Sequence, residues 1–181
     1  MRIIGGTYKS RVLAEFAGND VRPTSDRAKE ALFNILSWDV VGASVLDLFA
    51  GSGSLGLESL SRGAAQVTFN DVAKASVAIV KKNLAALKLT ADGKKIRVSN
   101  LDFSLCLQSQ TAPYDIIFID PPYQLDIGLK ALEIIAQKRL LNEKGIAVYE
   151  RDRAFEGEIE GLEKFDERKY GKAYLTFFRL Q

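Results

Sequence analysis

Val45-Leu46-Asp47-Leu48-Phe49-Ala50-Gly51-Ser52-Gly53-Ser54-Leu55-Gly56 is the stretch on which the fold turns. Val45–Phe49 reads as a buried strand, and a helix follows through Leu55, Leu57 and Leu60. Between them Gly51, Gly53 and Gly56 keep a Gly-x-Gly-x-x-Gly spacing, which permits a tight strand-to-helix turn and close backbone approach to a ligand. Such glycines also arise in purely structural turns, so the surroundings must decide. Outward from this unit the pattern repeats. Gln66–Asn70 is a second strand, and Ala73–Leu87 a helix with apolar Val77, Val80, Leu84 and Leu87 at steps of three and four. Ile96–Ser99 is a third strand. Ile116–Ile119, the fourth, is unbroken in its apolarity, as a central parallel strand buried on both faces should be. Ala131–Ile135 lies in a helix, and Ile146–Tyr149 is a fifth strand after the turn glycine Gly145. Strands separated by helices imply βαβ units and an α/β fold with a parallel sheet. The tail departs from this: Lys164–Lys169 and Ala173–Arg179 flank Tyr170-Gly171-Lys172 as two strands joined by a tight turn. The expectation is a mainly parallel seven-stranded sheet with an antiparallel last strand.

Before the sheet, Arg2–Thr7 and Ser10–Leu13 resemble a small hairpin, with Gly5-Gly6 permitting a bend or bulge. Arg22-Pro23-Thr24-Ser25-Asp26 then opens a helix, with Ser25 as its N-cap and Asp26 at the positive end of the dipole. Ala28, Leu32, Ile35 and Leu36 give that helix one buried face, and Trp38 at its end reads as packing. Cys106, in an apolar helical pattern, reads as core, and the acid run Glu156–Glu163 as a solvated face. No repeat or linker divides the chain. One domain over 1–181 is expected, with 1–40 a hairpin-and-helix extension and 41–181 a Rossmann-like core.

The chain has 181 residues, 47% of them hydrophobic, with one cysteine and no histidine. That composition is globular. It excludes a Cys/His zinc cluster, a disulfide and any catalytic dyad built on imidazole. No metal is expected. The N-terminus lacks a signal-peptide apolar stretch and no run approaches a membrane span, so a soluble, cytoplasmic protein is expected; a monomer is the expected state of assembly. Net charge is only +2, but three bases and no acid fall in residues 1–13, and four bases and no acid in 168–181. Between them stand 18 bases against 23 acids. Basic ends suit RNA phosphates, with Lys9 and Arg11 as candidate contacts. Tyr170 and Tyr174 beside Lys169 and Lys172 can contact RNA or simply face a hairpin surface.

Two acids raise the glycine turn above a structural coincidence. Asp71 follows the next strand about 18 residues on, where a carboxylate can accept both hydroxyls of a ribose. Asp102 follows the third strand, placed to meet an adenine amino group. Together they suit an adenosine-containing cofactor at the carboxyl ends of the strands. The glycine spacing alone permits NAD. Asp47, on the strand itself, repels a pyrophosphate but can hold an ammonium group or a water, which favours S-adenosylmethionine. A second motif, Asp120-Pro121-Pro122-Tyr123, follows the most apolar strand. The prolines end the strand and leave the Pro121 carbonyl without a ladder partner. Asp120 and that carbonyl are then two acceptors for an exocyclic amine, and holding both its hydrogens aims the nitrogen lone pair at an electrophile. Tyr123 offers a face for stacking a base.

With both motifs in view, the chain resembles the amino-directed, S-adenosylmethionine-dependent class I methyltransferases. Arg2-Ile3-Ile4-Gly5-Gly6, Arg22-Pro23-Thr24-Ser25-Asp26-Arg27, Glu30-Ala31-Leu32-Phe33-Asn34 and Gly56-Leu57-Glu58-Ser59-Leu60-Ser61-Arg62-Gly63-Ala64 narrow the resemblance. They are similar to the bacterial RsmD family, which methylates guanine N2 in small-subunit (16S) ribosomal RNA. The resemblance runs from Arg2 to about Glu150, with Asp71 standing where Glu is usual. It implies that Ala50, Gly51, Gly53 and Asp71 bind cofactor, with Asp47 near the methionine end and Asp102 and Phe103 at the adenine. It also implies that Asp120, Pro121, Pro122 and Tyr123 hold the target guanine. The helix over Thr24–Asn34 resembles the family's N-terminal lid, with Arg22, Thr24 and Arg27 as candidates for the methionine carboxylate or a substrate phosphate. Ribosomal RNA in a small-subunit particle is the expected partner. A DNA amino-methyltransferase and a non-catalytic RNA-binding assembly factor stand as alternatives.

Overall fold

The structure, a computed structural model, describes residues 1–16, 26–122 and 127–181. Among these residues, seven strands form one sheet in the order β3-β2-β1-β4-β5-β7-β6. The strands are β1 (Ser44–Asp47), β2 (Gln66–Asn70), β3 (Ile96–Ser99), β4 (Tyr114–Ile119), β5 (Leu141–Arg151), β6 (Leu162–Tyr170) and β7 (Ala173–Leu180). The helices are α1 (Asp26–Leu36), α2 (Ser54–Ser61), α3 (Lys74–Ala86), α4 (Phe103–Ser109) and α5 (Ile127–Gln137), with a short 3₁₀ turn at Ser37–Val40. The first five strands pair in parallel, and β7 runs antiparallel between β5 and β6. The expected architecture is therefore the observed one. β5 is longer than its apolar stretch suggests because Tyr114↔Leu141 pairing begins five residues before Ile146, with a register shift between Tyr114 and Ile116.

Alternation along the central strands builds two cores. Ile116 and Phe118 of β4 join Val45, Val67, Phe69, Val148 and Phe177 on the face covered by α1, α2 and α3. Ile117 and Ile119 join Leu46, Ala147, Tyr149 and Phe178 on the face covered by α4 and α5. Burying β4 on both sides is what its unbroken apolarity requires. Gly56 allows α2 to lie close on β2: a Cβ there would sit 2.3 Å from the Phe69 ring.

Two expectations at the N-terminal unit are corrected. Ile35 is 36% exposed, and Phe33 and Lys29 take its place on the buried face of α1 beside Ala28, Leu32 and Leu36. Trp38 is 83% exposed rather than packed, because the chain leaves the helical line at the 3₁₀ turn and carries the indole off the core. The two N-terminal segments do fold back on each other, through the antiparallel bridge Arg2↔Val12, with the Ile3 N–H donating to the Arg11 carbonyl and the Leu13 N–H to the Met1 carbonyl. The Gly5-Gly6 pair serves close approach: a Cβ on Gly6 would strike the Ser61 carbonyl. Ser25 lies outside the described residues. Among those described, no helix is long and apolar enough to cross a membrane.

Candidate active site

Parallel strands end together, so the turns after β1, β2, β3 and β4 gather at one edge of the sheet. After β1, the Gly53 N–H donates to the Ala50 carbonyl at 2.6 Å, and the Ala50 N–H to the Asn70 carbonyl at 2.8 Å. Gly51 and Gly53 take positive φ, 54° and 83°, which glycine adopts without strain. Among the described residues, a Cβ on Gly51 would meet nothing within 4 Å, which leaves the backbone there open to close approach from them.

Among the described residues, Asp47, Asp71 and Asp102 stand at the ends of β1, β2 and β3 along this sheet edge, each with a different visible contact. Asp47, 2% exposed, accepts the Gly56 N–H on Oδ2 at 2.9 Å. Burial pushes its pKa up to about 7, against the Gly56 bond and with a small addition from nearby Asp71. Its visible contact is thus a brace between β1 and α2. Asp71 braces the turn from the neighbouring strand: Oδ2 accepts the Gly51 N–H and Oδ1 the Ala73 N–H, both at 2.8 Å. Each oxygen keeps a further lone pair for a hydroxyl donor. Asp102 is exposed and caps α4, taking the Ser104 N–H at 2.9 Å and hydroxyl at 2.7 Å on Oδ1. The Ser104 hydroxyl leads the causes that hold its carboxyl below the usual range. Phe103, next along, packs against Phe49 with ring centroids 5.7 Å apart.

Asp120 is the first residue past β4, whose last rung is Ile119↔Tyr149. It is half-buried, Pro121 is buried and Pro122 is exposed. Because β1 and β4 are adjacent and parallel, with Asp47 level with Phe118, Asp120-Pro121-Pro122 emerges beside the glycine turn. Tyr123, Arg22 and Thr24 lie outside the described residues. Arg27, Lys9 and Arg11 are exposed. Lys9 and Arg11 do not join this edge. Their turn docks on the far end of α2, where the Thr7 N–H meets the Ser61 carbonyl, about 12 Å of helix from the glycine turn. Among the described residues, no group of three or more His, Cys, Asp or Glu side chains is placed to hold a metal.

The family model described as Conserved hypothetical protein 95 matches residues 1–179. The chain belongs to this family. It is the RsmD family that the motifs resemble. Within it, the Ribosomal RNA small subunit methyltransferase D of Haemophilus influenzae is 37% identical over 155 residues, covering 84% of this chain and 79% of that one. The Bacillus subtilis protein YlbH is 41% identical over 160 residues, covering 86% and 85%. The solved structure of yhhF from Escherichia coli is similar at a TM-score of 0.87 and 32% identity, covering 100% of this chain and 98% of that one.

Several residues that hold this family member's site together escape motif reading. Asn70, buried at the end of β2, donates to the Leu48 and Leu101 carbonyls and accepts the Ser99 hydroxyl, tying three of the edge loops together. Asn83 of α3 donates to the carbonyls of Ala14 and Ser52. Glu58 of α2, fully buried, accepts the N–H groups of Ile4 and Gly5 at 2.8 Å and Arg62 Nε at 2.7 Å. Lys29, also fully buried, lies 3.9 Å from Glu58 and donates to the Arg2 carbonyl and the Ser54 hydroxyl. Loss of water lowers its pKa, with Glu58 opposing. One signal was available: Lys29 falls on the same helical stripe as Leu32, Phe33 and Leu36.

Proposed function

We propose that this chain methylates the exocyclic N2 amine of a guanine in small-subunit ribosomal RNA, with S-adenosylmethionine as cofactor. The observation that carries the reading is the meeting, at one sheet edge, of the glycine turn braced by Asp71 with the Asp120-Pro121-Pro122 run after β4. The printed name of the Haemophilus influenzae relative supports the RNA class.

The residues present fit the cofactor. The open approach to Gly51 admits a ligand against the backbone, with Ala50 and Gly53 completing the turn. In this reading Asp71 would take the ribose hydroxyls, Asp102 and Phe103 would meet the adenine, and Asp47 would serve the methionine end. When bound, the cofactor supplies a methyl group already activated on a sulfonium sulfur for in-line transfer. The chain's own task is then to position the base and exclude water. Asp120 and the Pro121 carbonyl accept the two N–H bonds of the guanine amine, and the two prolines keep those acceptors in place. Tyr123 stacks the base, which enters unpaired or extruded. After transfer the methylated nitrogen is cationic and acidic, and its surplus proton passes to solvent water, so no strong base is needed.

The test is Asp120→Ala, assayed on small-subunit particles from cells lacking the gene. Methyl transfer should fall by on the order of 100-fold or more, while calorimetric cofactor affinity stays within about twofold. Nucleoside mass spectrometry of the wild-type product should show N2-methylguanosine. Undiminished turnover, or a different methylated nucleoside, overturns the reading.

A further inference from the structure

The basic tail does not present its charge evenly. Arg168 Nε is 3.0 Å from Asp166, and Arg179 Nε is 2.8 Å from Glu163, so both are paired along the hairpin. Arg151, at the end of β5, is buried and lies over the rings of Tyr149 and Phe155. Lys169 and Lys172 have no carboxylate within ion-pair distance among the described residues. Both line a shallow groove of about 420 Å³ at the tip of the β6–β7 hairpin, with Arg153, Tyr174, Asp152 and the backbone of Gly171. Lys169 Nζ lies 5.0 Å from the centre of the Tyr174 ring. Two exposed lysines on an aromatic wall suit an anion joined to a flat ring.

Strand register places the groove. β6 and β5 run the same way, so the hairpin tip lies at the edge that carries Asp120. Tyr174 pairs with Arg151, two residues beyond the Tyr149 rung that closes β4. From β4 to β7 is two strand spacings, about 10 Å, which a short length of RNA backbone spans.

We propose that this groove binds the RNA backbone immediately flanking the target base, with Lys169 and Lys172 on phosphates and Tyr174 against a neighbouring base. The inference rests on the RNA methyltransferase reading above and adds the second point of contact beside the active edge.

The experiment compares Lys169→Ala/Lys172→Ala with wild type on small-subunit particles lacking the modification. The particle KM should rise on the order of tenfold, and the slope of log affinity against log salt should flatten by about 1.5, for two lost phosphate contacts. Cofactor affinity and melting midpoint should not move. Arg168→Ala, whose charge is already paired, should stay within about twofold of wild type. The single exposed change Lys172→Gln should move KM and slope the same way by about half as much on the logarithmic scale. A photo-crosslinking residue at position 172 should label RNA. An active double variant with unchanged KM and slope overturns the inference alone, as does crosslinking only to ribosomal protein. A wild-type chain that transfers no methyl group to these particles overturns the reading beneath it.

Discussion

Asp47 lies beneath the glycine turn with its pKa near 7, because leaving water costs the charged form more than the Gly56 amide returns. The folded chain keeps this proton to about pH 7, whereas an unfolded chain releases it near 3.8. Between those values the folded state binds more protons, so the stabilising contribution is full below the lower value and is lost as pH rises through the upper one. Asp47→Asn retains an acceptor for Gly56 without the titration. Relative to that variant, wild type should lose stability by up to roughly 1.4 kcal/mol per pH unit between about pH 4 and 7, then level off. Urea unfolding across that range measures it. A difference that does not change with pH would mean that Asp47 is ionised throughout.

At the scale of elements, the N-terminal segment is strapped to α2 by a buried ion cluster. Glu58 takes two backbone N–H groups of the segment and faces both Lys29 and Arg62. Glu58→Gln keeps the shape but leaves the Lys29 ammonium buried without its counter-charge. The expected loss is about 3 kcal/mol in denaturant unfolding, with the midpoint of the whole chain moving because α1 and α2 share one core. A loss under about 1 kcal/mol would mean that Lys29 gives up its proton instead.

The contrast between this strap and the strands explains what could be read in advance. β2 and β3 were legible to the residue, because a strand's apolar run and its bounding turn residues are local. The edge location of Asp71, Asp102 and Asp120 followed from the same logic. Lys29, Glu58, Asn70 and Asn83 were not legible as a network, because their partners lie 20 to 70 residues away and pairing across that distance leaves no periodic mark. Trp38 failed for a related reason. Its position depends on where α1 yields to the 3₁₀ turn, and helix ends are weakly encoded.

For the whole molecule, near-neutral net charge conceals a division between edges. Lys9 and Arg11 sit toward the far end of α2, whereas Lys169 and Lys172 share the edge of Asp120. Both pairs should add to RNA affinity, but unequally. Lys9→Ala/Arg11→Ala should weaken particle binding by about threefold or less, with cofactor affinity unchanged, because only a screened, long-range attraction is removed. Filter binding over a salt series, alongside calorimetry, measures both. A fall in cofactor affinity would tie those residues to the turn rather than to RNA.

Strand order also governs when the molecule can come into being. β7, residues 173–180, is an interior strand that pairs with β5 on one side and β6 on the other, and it supplies Leu175 and Phe177 to one core and Phe178 to the other. During synthesis β5 and β6 therefore emerge with their inner edges unsatisfied, and the hairpin must fold back before the sheet is continuous. Until then both cores lie open to solvent, and β5 offers an unpaired edge to any neighbouring chain. Such a sheet depends, for its solubility as well as its shape, on a strand made after both of its neighbours.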